Sequence, residues 1–215
     1  MTIGRLAGTL AAVAALSLVT PALASEGDMP ADHGFEFDVR GGYAVPVGSL
    51  NGKSSLNDLW SGALPIGIDL GYRVGRRLYV GGYFQYAHGI MSGQYCKDVD
   101  CSADDYRFGI LARFYVWQGR STQLWTGIGA GMEIAQLRVG QGNERATMDI
   151  AGPEFAHLQV GGDYRLSSHV GIGPFVGMSI ARFGGGNSSA EGHFHIEDAA
   201  LHGWLSLGFR GVFNL

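Results

Sequence analysis

Hydrophobic and polar residues alternate in eight segments of the chain, with the period of two that marks a β-strand with two different faces. The segments are residues 35–45, 63–74, 78–87, 105–116, 124–136, 155–166, 170–181 and 201–215. The gaps between them alternate in length, with long gaps at 46–62, 88–104, 137–151 and 183–199 and short gaps at 75–77, 117–123 and 167–169. Tight turns at one rim and long loops at the other predict an all-β fold, an eight-stranded antiparallel up-and-down transmembrane β-barrel.

The two faces of the segments differ in chemistry. One face is apolar, as in Leu64, Ile66, Ile68 and Leu70 of the second segment, and the other mixes glycine, aromatic residues and isolated charges. The charges of the second face are Glu36, Asp38, Asp69, Glu133, Asp163, Arg40, Arg73, Arg107, Arg113, Arg165 and Arg210. On this face the carboxylates and arginines are nearly equal in number, and lysine is almost absent. This composition favours a closed lumen over a solvated surface, because guanidinium groups pair with carboxylates in fixed geometry. We therefore predict that the apolar face contacts lipid. A soluble lipocalin-like binding barrel, with its apolar face inside, is the alternative.

Eight strands leave an interior just wide enough to be filled by side chains. We predict a lumen filled by an ion-pair network of Asp38, Arg40, Asp69, Arg73, Arg107, Arg113, Glu133, Asp163, Arg165 and Arg210. A plugged barrel implies a structural or surface-interaction role, with the long loops as the surface for an extracellular ligand. The alternative is a narrow porin-like channel for small or hydrophobic solutes.

Aromatic residues of the apolar face cluster near the strand ends, as expected of side chains at two membrane–water interfaces. Near the short turns they are Phe37, Tyr72, Phe114, Tyr164 and Phe213, and near the long loops Tyr43, Tyr86 and Tyr106. Pro174 lies in the middle of the seventh segment, where proline removes a ladder hydrogen bond, so we predict a β-bulge there.

The first 24 residues predict a secretory signal peptide. Arg5 precedes an apolar run over 9–20, and Ala22-Leu23-Ala24 forms a small-residue cleavage signal. The run is shorter than the roughly 20 residues of a membrane-spanning helix. We therefore divide the chain into a signal peptide (1–24), a short N-terminal extension (25–34) and a β-barrel domain (35–215), exported to the cell outer membrane with membrane lipid as its surroundings.

Charge and composition exclude one class of partner. Removing residues 1–24, which carry Arg5 and no acid, changes the net charge from −4 to −5, and the only lysines are Lys53 and Lys97. No basic patch is present, so nucleic acid is not expected as a partner. Glycine, at 36 of 215 residues, exceeds the usual content of about 7% and falls inside the alternating segments, as the tight bends of a small barrel require.

Candidate chemistry is sparse. Cys96 and Cys101 lie in the second long gap, and an exported protein is expected to join them in a disulfide.

In an extended strand, His193 and His195 would share one face with Glu191 and Glu197, and imidazole and carboxylate groups are ligands that suit zinc. Our preferred interpretation is a polar loop with exposed histidines, and we predict no metal or cofactor. His202 and Ser206 would lie about 13 Å apart along a strand. That separation is too long for a catalytic hydrogen bond, so we predict no enzymatic activity.

Several stretches resemble the small outer-membrane β-barrel proteins of the OmpA, OmpX and OmpW kind, also called the porin-like outer-membrane β-barrel domain family. They are the Ala-x-Ala signal, Leu124-Trp-Thr-Gly-Ile-Gly-Ala-Gly-Met, Val170-Gly-Ile-Gly-Pro-Phe-Val-Gly and the C-terminal alternation. The resemblance implies a largely non-enzymatic barrel, inserted by the barrel-assembly machinery. In that family the machinery usually recognises an aromatic last residue, whereas this chain has Leu215 there and Phe213 two positions earlier.

Overall fold

A computed structural model describes residues 33–49, 55–92, 96, 100–141, 144–189, 192–196 and 198–215. The predicted signal peptide and all but the last residues of the predicted N-terminal extension lie outside these residues. The strands are β1 (Gly34–Gly48), β2 (Trp60–Val74), β3 (Leu78–Met91), β4 (Asp100–Gln118), β5 (Thr122–Gln141), β6 (Glu144–Arg165), β7 (Val170–Ala181), β8 (Gly185–Ser188), β9 (Gly192–His195) and β10 (His202–Asn214). The helix α1 (Leu56–Leu59) precedes β2. No helix in these ranges is long and apolar enough to cross a membrane.

Eight of the strands close into an antiparallel barrel. Sequence neighbours pair along β1 to β7, β7 pairs with β10, and β10 pairs with β1 from Glu36–Asn214 to Gly48–His202. The predicted eight-stranded antiparallel barrel is therefore confirmed. The short turns join β2 to β3, β4 to β5 and β6 to β7, and in the first of them Gly75 adopts a φ of 64°, which a side chain would disfavour.

The rim opposite the short turns differs from the prediction. Strands β5 and β6 continue to Gln141 and from Glu144, so the long loop expected over 137–151 is wrong and most of it is a β-hairpin. The gap expected over 183–199 contains a second hairpin, in which β8 pairs with β6 and with β9. The cause is a reversal of polarity at this end of the barrel.

The polarity of the inner and outer faces of the barrel reverses near the long-loop rim. Over most of each strand the outward side chains are mainly apolar and exposed, and the inward face combines buried charges with aromatic residues and glycine. Near the long-loop rim the inward side chains become apolar, with Ala103, Leu137 and Ile150 buried, while Asp104, Gln136, Arg138 and Asp149 form hydrogen bonds on the outer wall. A search for apolar outward faces therefore ends the first six strands too early at this rim, whereas β7 ends at Ala181 as predicted.

Four irregularities interrupt the regular pairing, and none is at Pro174. Register shifts occur between Trp60 and Gly62, Tyr115 and Trp117, Gly129 and Gly131, and Glu154 and Ala156. Across Pro174 the register with β6 is the same at Gly161–Phe175 and Tyr164–Ile172, although the pairs between them are missing. Pro174 also keeps its place opposite Phe209 in β10. The bulge predicted at Pro174 is wrong, because the lost hydrogen bond interrupts the ladder without adding a residue.

Candidate functional site

The lumen near the short turns is organised by Arg113 of β4, whose side chain is fully buried. Its guanidinium donates to Glu36 at 2.9 Å and Asp38 at 2.6 Å, both on β1, and to Asp69 of β2 at 2.8 Å. Asp38 and Asp69 are direct partners in the β1–β2 ladder, where like charges repel. Arg113 reaches across the lumen and compensates this repulsion.

Arg210 of β10 and Arg73 of β2 complete this cluster. Arg210 donates to Asp163 at 2.7 Å and to Asp38 at 3.2 Å, while Arg73 donates to Glu36 at 3.0 Å. Aromatic rings separate the cations: Arg113 and Arg210 lie 4.8 Å and 4.4 Å from the centroid of Trp125. Stacking on aromatic faces suits guanidinium, which is more weakly hydrated than ammonium. The cluster thus joins β1, β2, β4, β5, β6 and β10 through side chains alone.

A second set of contacts crosses the middle of the lumen. Arg40 forms an ion pair with Asp69 at 3.3 Å and contacts His157 Nε2 at 3.1 Å. Because guanidinium can only donate, Nε2 accepts, and the proton on Nδ1 is donated to Glu154 at 2.8 Å. The Tyr83 ring stacks on His157 at 4.5 Å, and its hydroxyl also donates to Glu154.

The third set lies towards the long-loop rim and is built on Arg107 of β4. Arg107 forms ion pairs with Asp105 at 2.8 Å and Glu133 at 3.3 Å. Glu133 also contacts His202 at 2.9 Å and accepts a hydrogen bond from the Trp204 indole at 3.1 Å. Charged groups therefore lie at three successive levels of the lumen.

A cluster of buried apolar residues lies beyond Arg107, towards the long-loop rim. We call it the cap, and it consists of Ala44, Leu56, Trp60, Ala63, Ala87, Ala103, Ala135, Leu137, Ile150, Phe183 and Trp204. The rings of Trp60 and Trp204 lie 5.3 Å apart. Leu56 reaches the cap from α1, whose first turn is fixed by a capping box between Ser55 and Asp58. The cap was not anticipated, because six of its residues lie in segments predicted to be long loops: Leu56, Trp60, Ala103, Leu137, Ile150 and Phe183.

All ten residues of the predicted lumen network are buried and face inward. Nine of them take part in the ion pairs described above, and Arg165 forms none among the described residues. The prediction omitted Glu36, Asp105, Glu154, His157 and His202. Glu36 lies on the polar face of the first segment, so the sequence could have indicated it. Alternation from His157 and Gln159 would place Glu154 on the outer face, but the irregularity at Phe155 turns it to the inner face.

A polar cluster on the outer wall surrounds Asp104, beyond the paired rings of Tyr86 and Tyr106. Asp104 accepts hydrogen bonds from Tyr86 at 2.7 Å and Arg138 at 2.8 Å and contacts His88 Nδ1 at 3.0 Å. Burial alone would raise the pKa of this carboxyl group, but the hydrogen bonds from His88, Tyr86 and Arg138 outweigh it and lower the pKa below its usual value.

Replacing Asp104 by asparagine is expected to lower the free energy of unfolding by about 1–2 kcal/mol at pH 7. A carboxyl group with a lowered folded-state pKa contributes its stability above the unfolded pKa of about 3.9 and loses it as the pH falls through the folded pKa. The difference between the native chain and Asp104→Asn should therefore shrink only below about pH 4. Urea unfolding at a series of pH values measures it. A difference that stays constant down to pH 3 would contradict the role given to the ionised carboxyl group.

The predicted disulfide between Cys96 and Cys101 is present, with the Cα atoms 5.8 Å apart. The pair closes a short loop next to β4. The predicted alternative metal ligands, His193 and His195, lie on β9, whereas Glu191 and Glu197 are outside the described residues. In the part of the chain that the structure describes, no group of three or more His, Cys, Asp or Glu side chains is placed to hold a metal ion.

Replacing both cysteines by serine is expected to lower stability by about 2 kcal/mol, because the closed loop is short and its closure entropy small. Since the bridge lies at the long-loop end of β4, beyond the residues that β4 pairs with β3, barrel closure should be unaffected. Chemical unfolding of the double variant, with the reduced native chain as control, measures the loss. Failure of the double variant to form a closed barrel would show that the bridge is required for assembly.

Comparisons with known proteins return similar folds at low sequence identity. Neisserial surface protein A is 15% identical with a TM-score of 0.46, over 84% of this chain and 96% of that one. The attachment invasion locus protein Ail of Yersinia pestis is 16% identical with a TM-score of 0.41, over 84% and 99%. The outer membrane protein OprG of Pseudomonas aeruginosa is 13% identical with a TM-score of 0.46, over 87% and 100%. No protein-family model and no curated protein sequence matches the chain.

Proposed function

We propose that this protein is an outer-membrane β-barrel with a structural or surface-interaction role and a lumen plugged by side chains. The observation that carries the proposal is the polarity of the barrel wall. Large apolar side chains are exposed around its outside, while carboxylates and guanidinium groups are buried inside. In water this arrangement would leave a large apolar surface exposed, whereas in a bilayer every such side chain contacts lipid. It is the opposite of a soluble lipocalin-like barrel.

The height of the apolar band supports the same conclusion. On β2, every outward residue from Leu64 to Val74 is an exposed large hydrophobic side chain. At a rise of about 3.3 Å per residue and a tilt of about 40°, this stretch spans about 25 Å along the barrel axis. That height matches the apolar band of about 25 Å in outer-membrane barrels. The polar cluster around Asp104 then lies above the band, at the outer interface.

The filled lumen supports a non-conducting role. Ion pairs occupy the lumen from Arg73 to Arg107, and the cap lies above them. An open path would have to displace buried charges that are already paired, at considerable cost in free energy. Specific contacts with other molecules would then be made by the segments at the long-loop rim, including the β8–β9 hairpin and the region of the Cys96–Cys101 disulfide.

Delivery to the membrane belongs to the same proposal. Residues 1–24 have the charge, apolar run and Ala-x-Ala signal of an exported chain, and the barrel-assembly machinery is the expected partner for insertion. Both termini of the barrel would lie on the periplasmic side, because β1 begins and β10 ends at the short-turn rim.

Two measurements test the proposal. The unboiled protein in detergent should migrate differently from the boiled protein on a gel, and cell fractionation should place it in the membrane fraction. Recovery in the soluble periplasmic fraction without detergent would overturn the membrane assignment. In planar bilayers the native protein should show no discrete channel openings. Stable openings would instead favour the narrow channel and refute the plugged lumen.

A further inference from the structure

Arg165 is the exception in the lumen. It is the last residue of β6 and is 7% exposed, and its Nε, Nη1 and Nη2 atoms are all buried without a hydrogen-bond partner among the described residues. The other buried guanidinium groups, those of Arg40, Arg73, Arg107, Arg113 and Arg210, each contact a carboxylate. Burying a charge without a partner is costly, so this position requires a compensating group.

Gln123 of β5 is unpartnered beside it. Its side chain is 1% exposed, and neither Nε2 nor Oε1 has a hydrogen-bond partner in the ranges described. Gln123 is paired with Asp163, and the backbone N–H of Arg165 donates to Ser121 at 2.8 Å, so Gln123 and Arg165 are diagonal neighbours on the inner face. Long side chains reach each other across this diagonal. A buried guanidinium group and a buried amide, both without partners among the described residues, therefore lie within reach of one another on the inner face.

The charge balance at this end of the lumen points to an anion rather than a cation. The buried carboxylates there are Glu36, Asp38, Asp69 and Asp163, and the buried guanidinium groups are Arg73, Arg113, Arg165 and Arg210, with Arg40 at the boundary. Asp163, the carboxylate nearest in sequence to Arg165, is held by Arg210 at 2.7 Å. Of the charges near Arg165, Arg73 and Arg76 repel it and Asp163 attracts it. With Arg40, which pairs with Asp69, the five guanidinium groups outnumber the four carboxylates by one, and Arg165 is the one that contacts no carboxylate among the described residues.

We propose that a compact inorganic anion binds between Arg165 and Gln123 at the short-turn end of the lumen. Guanidinium offers five donors in a planar fork that suits an oxyanion, and the Gln123 amide adds two more. The Gln123 carbonyl oxygen can accept a hydrogen bond from an anion that carries a hydroxyl group, as hydrogen phosphate does. The anion pairs the last charge of the lumen and joins β5 to the end of β6.

The test is a titration of the full chain, refolded in detergent micelles at constant pH and ionic strength, with sodium phosphate and with sodium chloride. For the native chain, the thermal unfolding midpoint should rise with the logarithm of the anion concentration above its dissociation constant. For Arg165→Gln the midpoint should be independent of the anion. It should exceed the native midpoint at the lowest anion concentration, since the unpaired charge is gone, and fall below it at saturation. These two curves should cross.

The matched control is Arg120→Gln, which removes an exposed cation from the turn between β4 and β5 and should keep the native response. A second variant, Gln123→Leu, should weaken the response roughly tenfold through the lost hydrogen bonds. It keeps the inference testable if Arg165→Gln does not fold. A response to phosphate and none to chloride assigns an oxyanion, and an equal response assigns any compact anion.

A native midpoint that is independent of both anions would show that water alone satisfies these groups. An equal response in Arg165→Gln would show that the anion acts elsewhere on the chain. Either result would overturn the inference. This outcome is separate from the proposed function. Barrel closure and membrane association are read from gel migration and fractionation, which do not depend on the anion.

Discussion

Replacement of Arg113 by glutamine is expected to lower the free energy of unfolding by about 3–5 kcal/mol, the usual cost of leaving a buried charge without its partner. Arg113 contacts Glu36, Asp38 and Asp69 at once, so its loss leaves three buried carboxylates with fewer cations than they need. Urea unfolding in lipid vesicles, followed by tryptophan fluorescence, measures the change.

Two controls separate the loss of the network from the loss of a positive charge. Arg120→Gln removes an exposed arginine by the same substitution and should change stability by less than about 0.5 kcal/mol. Arg113→Lys keeps the charge but loses the planar fork, so its stability should fall between those of the native chain and Arg113→Gln. A glutamine variant within 1 kcal/mol of the native chain would show that Arg113 does not hold the carboxylates together.

Replacement of Ile110 by arginine is expected to prevent stable insertion. Ile110 is 73% exposed on the outer wall of β4, between Phe108 and Phe114 of the apolar band. An arginine facing lipid near the middle of the bilayer costs about 2–4 kcal/mol in a transmembrane barrel. In a barrel surrounded by water, the same exposed substitution would cost almost nothing. The yield of the heat-modifiable form in vesicles reports the difference.

The control for Ile110→Arg is His88→Arg on the neighbouring strand. His88 also faces outward, but it lies beyond Tyr86, in the polar cluster around Asp104, where an arginine can keep a contact with the carboxylate. We expect His88→Arg to insert like the native chain. Equal yields of the two variants would contradict the position that we give to the apolar band.

The outer wall could be predicted from the sequence because one rule holds on every strand. Residues with the parity of Leu64 or Phe108 are mostly apolar, so alternation alone gives strand number, direction and the inward position of Arg113 or Asp163. The disulfide followed from the compartment and the cysteine count. Both inferences depend on local spacing, which the sequence contains directly.

The features that escaped prediction depend on contacts across the lumen or on a change of surroundings. Above Tyr106 the outer wall is polar and the apolar side chains of Leu137 and Ile150 are buried inside, so the rule of the lower barrel fails. The irregularity at Phe155 moves Glu154 to the inner face, and no pattern in β6 announces it. Which carboxylate pairs with which arginine depends on reach across the barrel, as for Arg210 and Asp38, 172 residues apart.

The charged lumen also constrains the order in which the barrel can assemble. Asp38 on the first strand and Arg210 on the last become partners only when β1 meets β10. An open sheet in the bilayer would expose its buried carboxylates and guanidinium groups to hydrocarbon, which is strongly unfavourable. Partly inserted intermediates must therefore keep their charged face shielded by water or by another protein until the first and last strands join. Closure and full insertion then become a single event, and the longest-range contacts in the chain govern its rate.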